Sequence, residues 1–311
     1  MKALVTGATG FLGTTLCKKL KEGGYTLAAL GSRDADLRKE NALHRWNAEK
    51  FDKIFHLAAW TQAGDFCLFH QGEQWIINQE INTNVLKWWH EFQPQAKLIT
   101  LGTSCAYDEN FPLSEENYLT GKPIDSLFSY AMTKRMLQVG VQSLHKQFKH
   151  NYVTFVPSTL YGREYHTDGR QMHFVFDLMR KILRAKYFDE KVTLWGDGFQ
   201  KRELVYVDDF VKVMLDLDST VQNEIINIGA GEEHTIREFA ETLCAIIDYP
   251  FLKIEFDTSK YVGARSKCLK VDRLKTLLPQ LKLTPLSKGL EETVVWFKKA
   301  LIDPELGKQI S

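Results

Sequence analysis

Read from its amino terminus, the chain alternates short apolar runs with longer amphipathic stretches. Runs at 3–6, 26–30, 53–57, 97–101 and 152–157 are separated by helical patterns at 11–22, 80–92 and 129–149. Strands covered on both faces read as nearly continuous apolar runs, whereas the helices that cover them show a one-sided stripe. The pattern predicts an α/β fold of the Rossmann type, a doubly wound parallel sheet between helix layers. After Tyr161-Gly162 the rhythm breaks into a polar loop at 163–171, a helical stretch at 173–185 and a loop ending in Trp195-Gly196-Asp197-Gly198. Strand and helix character resume over 203–215 and 225–228, and the tail from 235 to 301 reads as helices with a strand near 252–256. The expected division is discontinuous: 1–162 plus about 203–230 as a dinucleotide-binding domain, and about 163–202 plus 231–311 as a smaller α+β substrate lobe.

Composition narrows the function classes. Among 311 residues, 40 basic side chains face 39 acidic ones, so no global field recruits nucleic acid or an anionic membrane. Cys17, Cys67, Cys105, Cys244 and Cys268 are scattered without a C-x-x-C spacing, which argues against a disulfide framework and a zinc site and fits a reducing cytoplasm. The opening Met1-Lys2-Ala3-Leu4-Val5-Thr6-Gly7 reaches a glycine too soon for a secretory signal core. No stretch approaches the roughly 20 apolar residues that span a bilayer.

Gly7, Gly10 and Gly13 follow directly on the first apolar run and open a helical pattern. That is the context of a dinucleotide site: a tight turn, close approach of backbone to pyrophosphate, and close helix–strand packing. In NAD-binding versions a carboxylate closes the second strand and binds the ribose hydroxyls. Here that neighbourhood holds Gly31, Ser32 and Arg33, so a guanidinium can pair with a 2′-phosphate and NADP(H) is expected. Asp34 is the rival, if the strand runs longer. His56-Leu57-Ala58-Ala59 closes a later strand with small residues, which suits a backbone lying along the cofactor.

Tyr130 and Lys134 stand one helical turn apart. A nearby cation favours phenolate, so Tyr130 is expected to exchange a proton with a sugar hydroxyl or ketone at a lowered pKa, with Lys134 also holding the nicotinamide ribose. The spacing alone is common on amphipathic helices. Its weight comes from the order in which it occurs, after the glycine turn, after His56-Leu57-Ala58-Ala59, and after 103–107 at a strand end.

With these motifs the chain resembles the extended short-chain dehydrogenase/reductases, and within them the GDP-L-fucose synthase group, 3,5-epimerase/4-reductases of GDP-4-keto-6-deoxymannose. The resemblance is carried by Leu101-Gly102-Thr103-Ser104-Cys105-Ala106-Tyr107, Ser129-Tyr130-Ala131-Met132-Thr133-Lys134, Leu160-Tyr161-Gly162, Trp195-Gly196-Asp197-Gly198, Lys201-Arg202-Glu203-Leu204-Val205-Tyr206-Val207-Asp208-Asp209 and Ile226-Asn227-Ile228-Gly229-Ala230-Gly231. It implies Thr103, with Ser104 as rival, for the catalytic hydroxyl, Tyr130 as acid with Lys134, and Cys105 with His173 as the epimerisation pair. A 4-ketone acidifies the flanking C3 and C5 protons, so one group can remove a proton and the other return it on the opposite face. Cofactor contacts are expected from Gly7, Gly10, Phe11, Leu12, Gly13, Arg33, Asp36, Leu37, Leu57, Ala58, Ala59, Lys134, Pro157 and Leu160. Substrate contacts are expected from Thr61, Cys105, Thr159, His173, Lys181, Trp195, Arg202 and Lys267, with Arg202 on the diphosphate and Trp195 near the nucleotide.

The chain departs from that group at Trp60-Thr61-Gln62-Ala63-Gly64, at Arg163 and 164–169, and at Arg265-Ser266-Lys267. These positions cluster where sugar and base should bind, so the sugar and nucleotide stay open. The expected reaction is NADPH-dependent C4 reduction of an NDP-4-keto-6-deoxy sugar, with epimerisation at C3, C5 or both. The rivals are an NAD-retaining 4-epimerase or dehydratase and a non-catalytic cofactor-binding scaffold. The resemblance implies a homodimer in which the helices at 80–92 and 129–149 form a two-fold four-helix interface; amphipathic helices of a monomer read the same.

Overall fold

The computed structural model describes residues 1–64, 66–260 and 265–310. Strands β1 (Lys2–Thr6), β2 (Thr26–Leu30), β3 (Lys53–His56), β4 (Lys97–Leu101) and β5 (Tyr152–Pro157) are followed by β6 (Thr159–Tyr161), β7 (Val192–Trp195), β8 (Lys201–Arg202), β9 (Leu204–Tyr206), β10 (Glu224–Ile228), β11 (His234–Thr235) and β12 (Ile254–Asp257). The helices are α1 (Phe11–Glu22), α2 (Phe66–Phe69), α3 (Gln71–Phe92), α4 (Phe128–Phe148), α5 (Phe174–Phe188), α6 (Val207–Asp218), α7 (Ile236–Ile247), α8 (Asp272–Leu277), α9 (Leu286–Phe297) and α10 (Asp303–Ile310).

Six parallel strands form one sheet in the order β10-β5-β4-β3-β1-β2. The apolar runs serve both faces at once. Ala3, Val5, Phe55, Ile99, Val153 and Phe155 enter one core cluster, and their neighbours Leu4, Ile54, Leu98 and Tyr152 enter the opposite one, as the two-residue side-chain period requires. Helices α1 and α6 pack together, as do α3 and α4. The strand order reverses at β1, and in doubly wound sheets ligands bind outside the carboxyl ends of the strands flanking such a switch.

A third cluster lies over those strand ends. It joins α5, α7 and α9 through Phe176, Met179, Ile182, Phe239, Leu243, Leu290 and Phe297, with Leu204 and Tyr206 of β9 as its floor. Parallel pairs β7–β12 and β6–β9 and an antiparallel pair β8–β11 frame it. Leu269, Val271 and Leu274 return to the first cluster, so the tail crosses between the two bodies.

Helix α3 begins at Gln71, well before the apolar pattern at 80–92 predicts. Its early core-facing positions are Gln74 and Asn78, both buried. They are polar because they hold a loop. Asn78 accepts the Trp60 N–H at 2.8 Å and donates to the Trp60 carbonyl at 3.0 Å, while Gln74 donates to Thr61 Oγ1 at 3.2 Å and Cys67 Sγ at 3.3 Å.

Candidate active site

The chain leaves β1 at Gly7 with φ 67°. A Cβ there would stand 2.8 Å from Ala58 N, and one on Gly13 would stand 2.1 Å from the Gly7 carbonyl oxygen. The protein's own backbone therefore requires these two glycines. Gly10 is different: it is exposed, its added Cβ would meet only the Gly7 oxygen at 3.3 Å, and it stands at the N-cap of α1, whose first turn carries no acidic residue. The leading N–H groups of a helix lack intrahelical acceptors and sit at its positive end, so this open turn fits a pyrophosphate. Phe11 turns its ring to Tyr165 and Phe176, at centroid distances of 5.2 and 5.9 Å, and Leu12 packs against the first core cluster. Both sit at the turn, with their side chains given to packing.

At the end of β2, Gly31 donates its N–H to Asp34 Oδ2 at 2.8 Å. Asp34 is thereby folded back over Gly31, and Arg33 is exposed beside it. Asp36 is gripped by Arg38 at 2.8 and 2.9 Å, which holds its carboxyl below the usual range, and Leu37 is buried in the core. Leu57, Ala58 and Ala59 continue from β3 half-buried, as do Pro157 and Leu160 at the junction of β5 and β6.

The carboxyl ends of β1 and β3 are tied to α4 through buried polar groups. Thr6 Oγ1 accepts the Ala58 N–H at 3.3 Å, so its proton is assigned to His56 Nδ1 at 2.9 Å. His56 Nε2 then donates to Asn82 Oδ1 at 3.1 Å, and Asn82 donates to the Thr133 carbonyl at 3.4 Å. Both ring nitrogens are used by a neutral imidazole, and burial, with the Lys134 charge, pulls the His56 pKa down to about 4.

Lys134 is buried, and its Nζ lies 6.0 Å from the Tyr130 ring centroid. Thr103 leaves β4 with its N–H on Tyr118 Oη at 3.2 Å and its Oγ1 accepting the Cys105 N–H at 3.3 Å. Arg135 fastens this loop to α4 by donating to the carbonyls of Ala106, Thr120 and Gly121 at 2.9, 2.8 and 2.7 Å. The expectation of a lowered tyrosine pKa is corrected here. Burial lifts the Tyr130 phenol above its ordinary value, and Cys105, Tyr118 and Cys67 add to the rise. Burial also lowers Lys134 to about 8. Tyr130 is thus a neutral phenol, the form able to give a proton.

On the substrate side, Lys267 Nζ lies 2.9 Å from Cys105 Sγ. Burial alone would raise the thiol, but Lys267, helped by Thr103 and Arg202, brings it below its ordinary value. His173 heads α5 with its N–H on Tyr165 Oη at 3.1 Å. Its side chain is reached by solvent, yet crowding protein, Lys267 and His166 hold it below the usual histidine range. Cys105, His173, Lys267 and Arg202 are therefore one electrostatic neighbourhood, with Tyr130 beside Cys105. Lys181 is engaged by Asp177 at 2.9 Å and the Thr193 carbonyl at 3.4 Å. Trp195 stands exposed at the end of β7, and Thr159 is half-buried in β6.

Residues 3–229 match the family model described as NAD dependent epimerase/dehydratase family. The chain belongs to that family. It is 28% identical to a GDP-L-fucose synthase of Dictyostelium discoideum, covering 94% of each chain. It is 27% identical to a GDP-L-colitose synthase of Yersinia pseudotuberculosis, covering 96% of this chain and 98% of the relative. A crystal structure of a GDP-L-fucose synthetase from Naegleria fowleri bound to NADP superposes with a TM-score of 0.84 at 25% identity, over 96% of this chain and 94% of that one.

Within this epimerase/dehydratase framework, several positioning residues escape a sequence reading. Arg135, Gln74, Asn78 and Asn82 occupy helix positions where a pattern expects an apolar or unremarkable residue, and their partners are loop carbonyls, side chains and a distant strand end. Buried Glu203, pushed up to about 7 by burial, accepts the N–H groups of Gly231 and Leu269 at 2.7 and 2.9 Å. The one available signal was polar residues at core-facing helix positions, which usually mean a bound loop. Among the described residues, no group of three or more His, Cys, Asp or Glu is placed to hold a metal ion, and no helix is long and apolar enough to cross a membrane.

Proposed function

We propose that the chain is an NADPH-dependent reductase of an NDP-4-keto-6-deoxy sugar that also epimerises C3, C5 or both before reducing C4. The observation that carries this reading is the meeting of two proton-handling sets at one strand-end crevice: Thr103, Tyr130 and Lys134 on one side, Cys105, His173 and Lys267 on the other. Relatives named as GDP-L-fucose and GDP-L-colitose synthases, and a solved GDP-L-fucose synthetase bound to NADP, support it.

The glycine turn and the N-terminus of α1 would hold the cofactor's pyrophosphate, with Arg33 on a 2′-phosphate and Lys134 on the nicotinamide ribose. When bound, the cofactor supplies the hydride. Cys105 and His173 face the carbons beside the ketone, where loss of a proton leaves charge on O4. The hydroxyls of Thr103 and Tyr130 stabilise that charge, and the neutral phenol of Tyr130 gives O4 its proton on reduction. Arg202, in the same neighbourhood, would pair with the diphosphate, and exposed Trp195 would pack on the base.

Met136 and Val139 of α4 and Ile76 of α3 are exposed apolar side chains on the helix pair opposite α1 and α6. We assign this face to a second copy in a homodimer; a single-species monomer in sedimentation at micromolar concentration would refute it. All five cysteines are free thiols, which fits a reducing cytoplasmic setting.

The deciding experiment offers GDP-, UDP-, dTDP- and CDP-4-keto-6-deoxy sugars with NADPH in deuterated water and identifies the products by NMR. Deuterium at C3 or C5 together with NADPH oxidation is expected. A tightly retained cofactor turning over without net NADPH loss would replace this reading with a 4-epimerase or dehydratase.

A further inference from the structure

The sequence places Lys267 among the substrate contacts, but the structure gives it a nearer partner. Its Nζ lies 2.9 Å from Cys105 Sγ, and the two residues are 162 positions apart. This contact is built rather than incidental, because the segment that carries Lys267 is fixed from several sides. Glu233 accepts the Lys267 N–H at 3.2 Å and the Ser266 hydroxyl at 2.8 Å. Buried Glu203 accepts the Leu269 N–H at 2.9 Å, and the Leu113 carbonyl accepts the Lys270 N–H at 3.0 Å. Cys105 is fixed as well, since its N–H is capped by Thr103 and the adjoining carbonyl of Ala106 is held by Arg135.

We propose that Lys267 is a positioning residue that holds Cys105 as a thiolate for the epimerisation chemistry. The proposal rests on the epimerase reading above. The groups that face Cys105 agree with it. Lys267 and Arg202 approach from the substrate lobe, Tyr130 from α4, Tyr118 from the loop after β4, and Cys67 from α2. The two cations favour the thiolate and the neutral phenols do not oppose it. Of the acids that act on Arg202, Glu233 and Glu109, Glu233 accepts from the Ser266 hydroxyl and the Lys267 N–H. The same Lys267 charge disfavours a cation on His173.

The proton balance follows. The thiolate takes the proton from C3 or C5 and becomes a thiol, and the electron pair of the broken C–H bond moves into the carbonyl as an O4 enolate. His173, open to solvent, takes up a proton from water once the anionic sugar nucleotide is bound. It gives that proton to the opposite face, where the enolate pair forms the new C–H bond and the ketone returns. Cys105 then releases its proton to solvent.

The test compares wild type with Lys267→Met and Lys267→Arg. Peptide-resolved alkylation of Cys105 by iodoacetamide is followed from about pH 5.5 to 9.5 in the cofactor-free protein, so no substrate is needed. The expected result is a wild-type titration limb below that of an ordinary thiol, moved up by a unit or more in Lys267→Met. Alkylation near neutral pH should then fall about tenfold. Lys267→Arg should restore most of it, which also controls for misfolding. Deuterium exchange at C3 and C5 should fall in step in Lys267→Met and recover at high pH. An unmoved limb, with only a raised KM for the sugar nucleotide, would show that Lys267 grips the diphosphate and would overturn the proposal. A moved limb with unchanged exchange would overturn the positioning role of Lys267 in the proton transfer. Absence of exchange in wild type with a moved limb would instead sink the epimerase reading and leave the ion pair standing.

Discussion

The two halves of the crevice are held by different kinds of constraint. On the cofactor side the decisive contacts are local: the oxygen that a Cβ on Gly13 would strike belongs to Gly7, and the amide that Asp34 caps belongs to Gly31. On the substrate side they are remote, with Lys267 reaching Cys105 across 162 positions and Arg135 fastening a loop 29 positions earlier. A local constraint leaves a fixed spacing in the sequence. A remote one leaves only residue types, which become a site when the fold brings them together.

The largest effect is expected where the halves meet. In Tyr130→Phe the phenol proposed to give O4 its proton is gone while the ring and its packing stay, so kcat for hydride transfer should drop by about 10³-fold with NADPH affinity little changed. Stopped-flow NADPH oxidation reads the first and fluorescence titration the second. A drop under tenfold would move the acid to Thr103 or water. On the cofactor side the counterpart is Gly13→Ala, whose methyl would stand 2.1 Å from the Gly7 oxygen. Backbone cannot yield as a side-chain tip can, so a loss of about 3 kcal/mol in urea unfolding is expected. Gly10→Ala should unfold nearly as wild type yet bind NADPH weakly, because its neighbourhood is open toward the ligand.

The same contrast explains what could be read before the structure. The parallel sheet, the glycine turn and the Tyr130–Lys134 pair were legible because apolar periodicity and short spacings encode them. The start of α3 was not, because Gln74 and Asn78 break the apolar stripe in order to hold the loop at Trp60 and Thr61. The ionisation of Tyr130 was misjudged for a related reason. Spacing shows that a cation is one turn away, but burial, which no spacing reports, dominates the phenol. Cys105 and His173 entered through family resemblance, and the contact of Lys267 with Cys105 left no spacing to read.

Buried His56 offers a pH-dependent check on the link between the halves. Its folded pKa of about 4 lies below the ordinary 6.5, so the unfolded chain takes up this proton first as the pH falls. The contribution is complete above about pH 6.5 and is lost progressively toward pH 4, amounting to about 3 kcal/mol across that window. Urea midpoints measured at several pH values in wild type and His56→Gln should converge as the medium becomes acidic. Parallel curves would mean that His56 titrates alike in the folded and unfolded chain, and the buried neutral imidazole would fail.

The smallest expected effect concerns the exposed rim of the cofactor side, where spacing is clear but packing enforces little. Arg33 is exposed while Asp34 is turned onto the Gly31 amide at 2.8 Å. A single charge-assisted contact to a 2′-phosphate is worth about 1.5 kcal/mol. Arg33→Ser should therefore lower the NADPH-over-NADH ratio of kcat/KM by about tenfold, through NADPH alone. Asp34→Ala separates the two readings of this corner. If Asp34 only caps the turn, both cofactors weaken equally; if it reaches the ribose hydroxyls, NADH suffers more. An NADH-selective loss, together with no change in Arg33→Ser, would make this corner an NAD site and bring the retained-cofactor epimerase back as the better account of the chemistry.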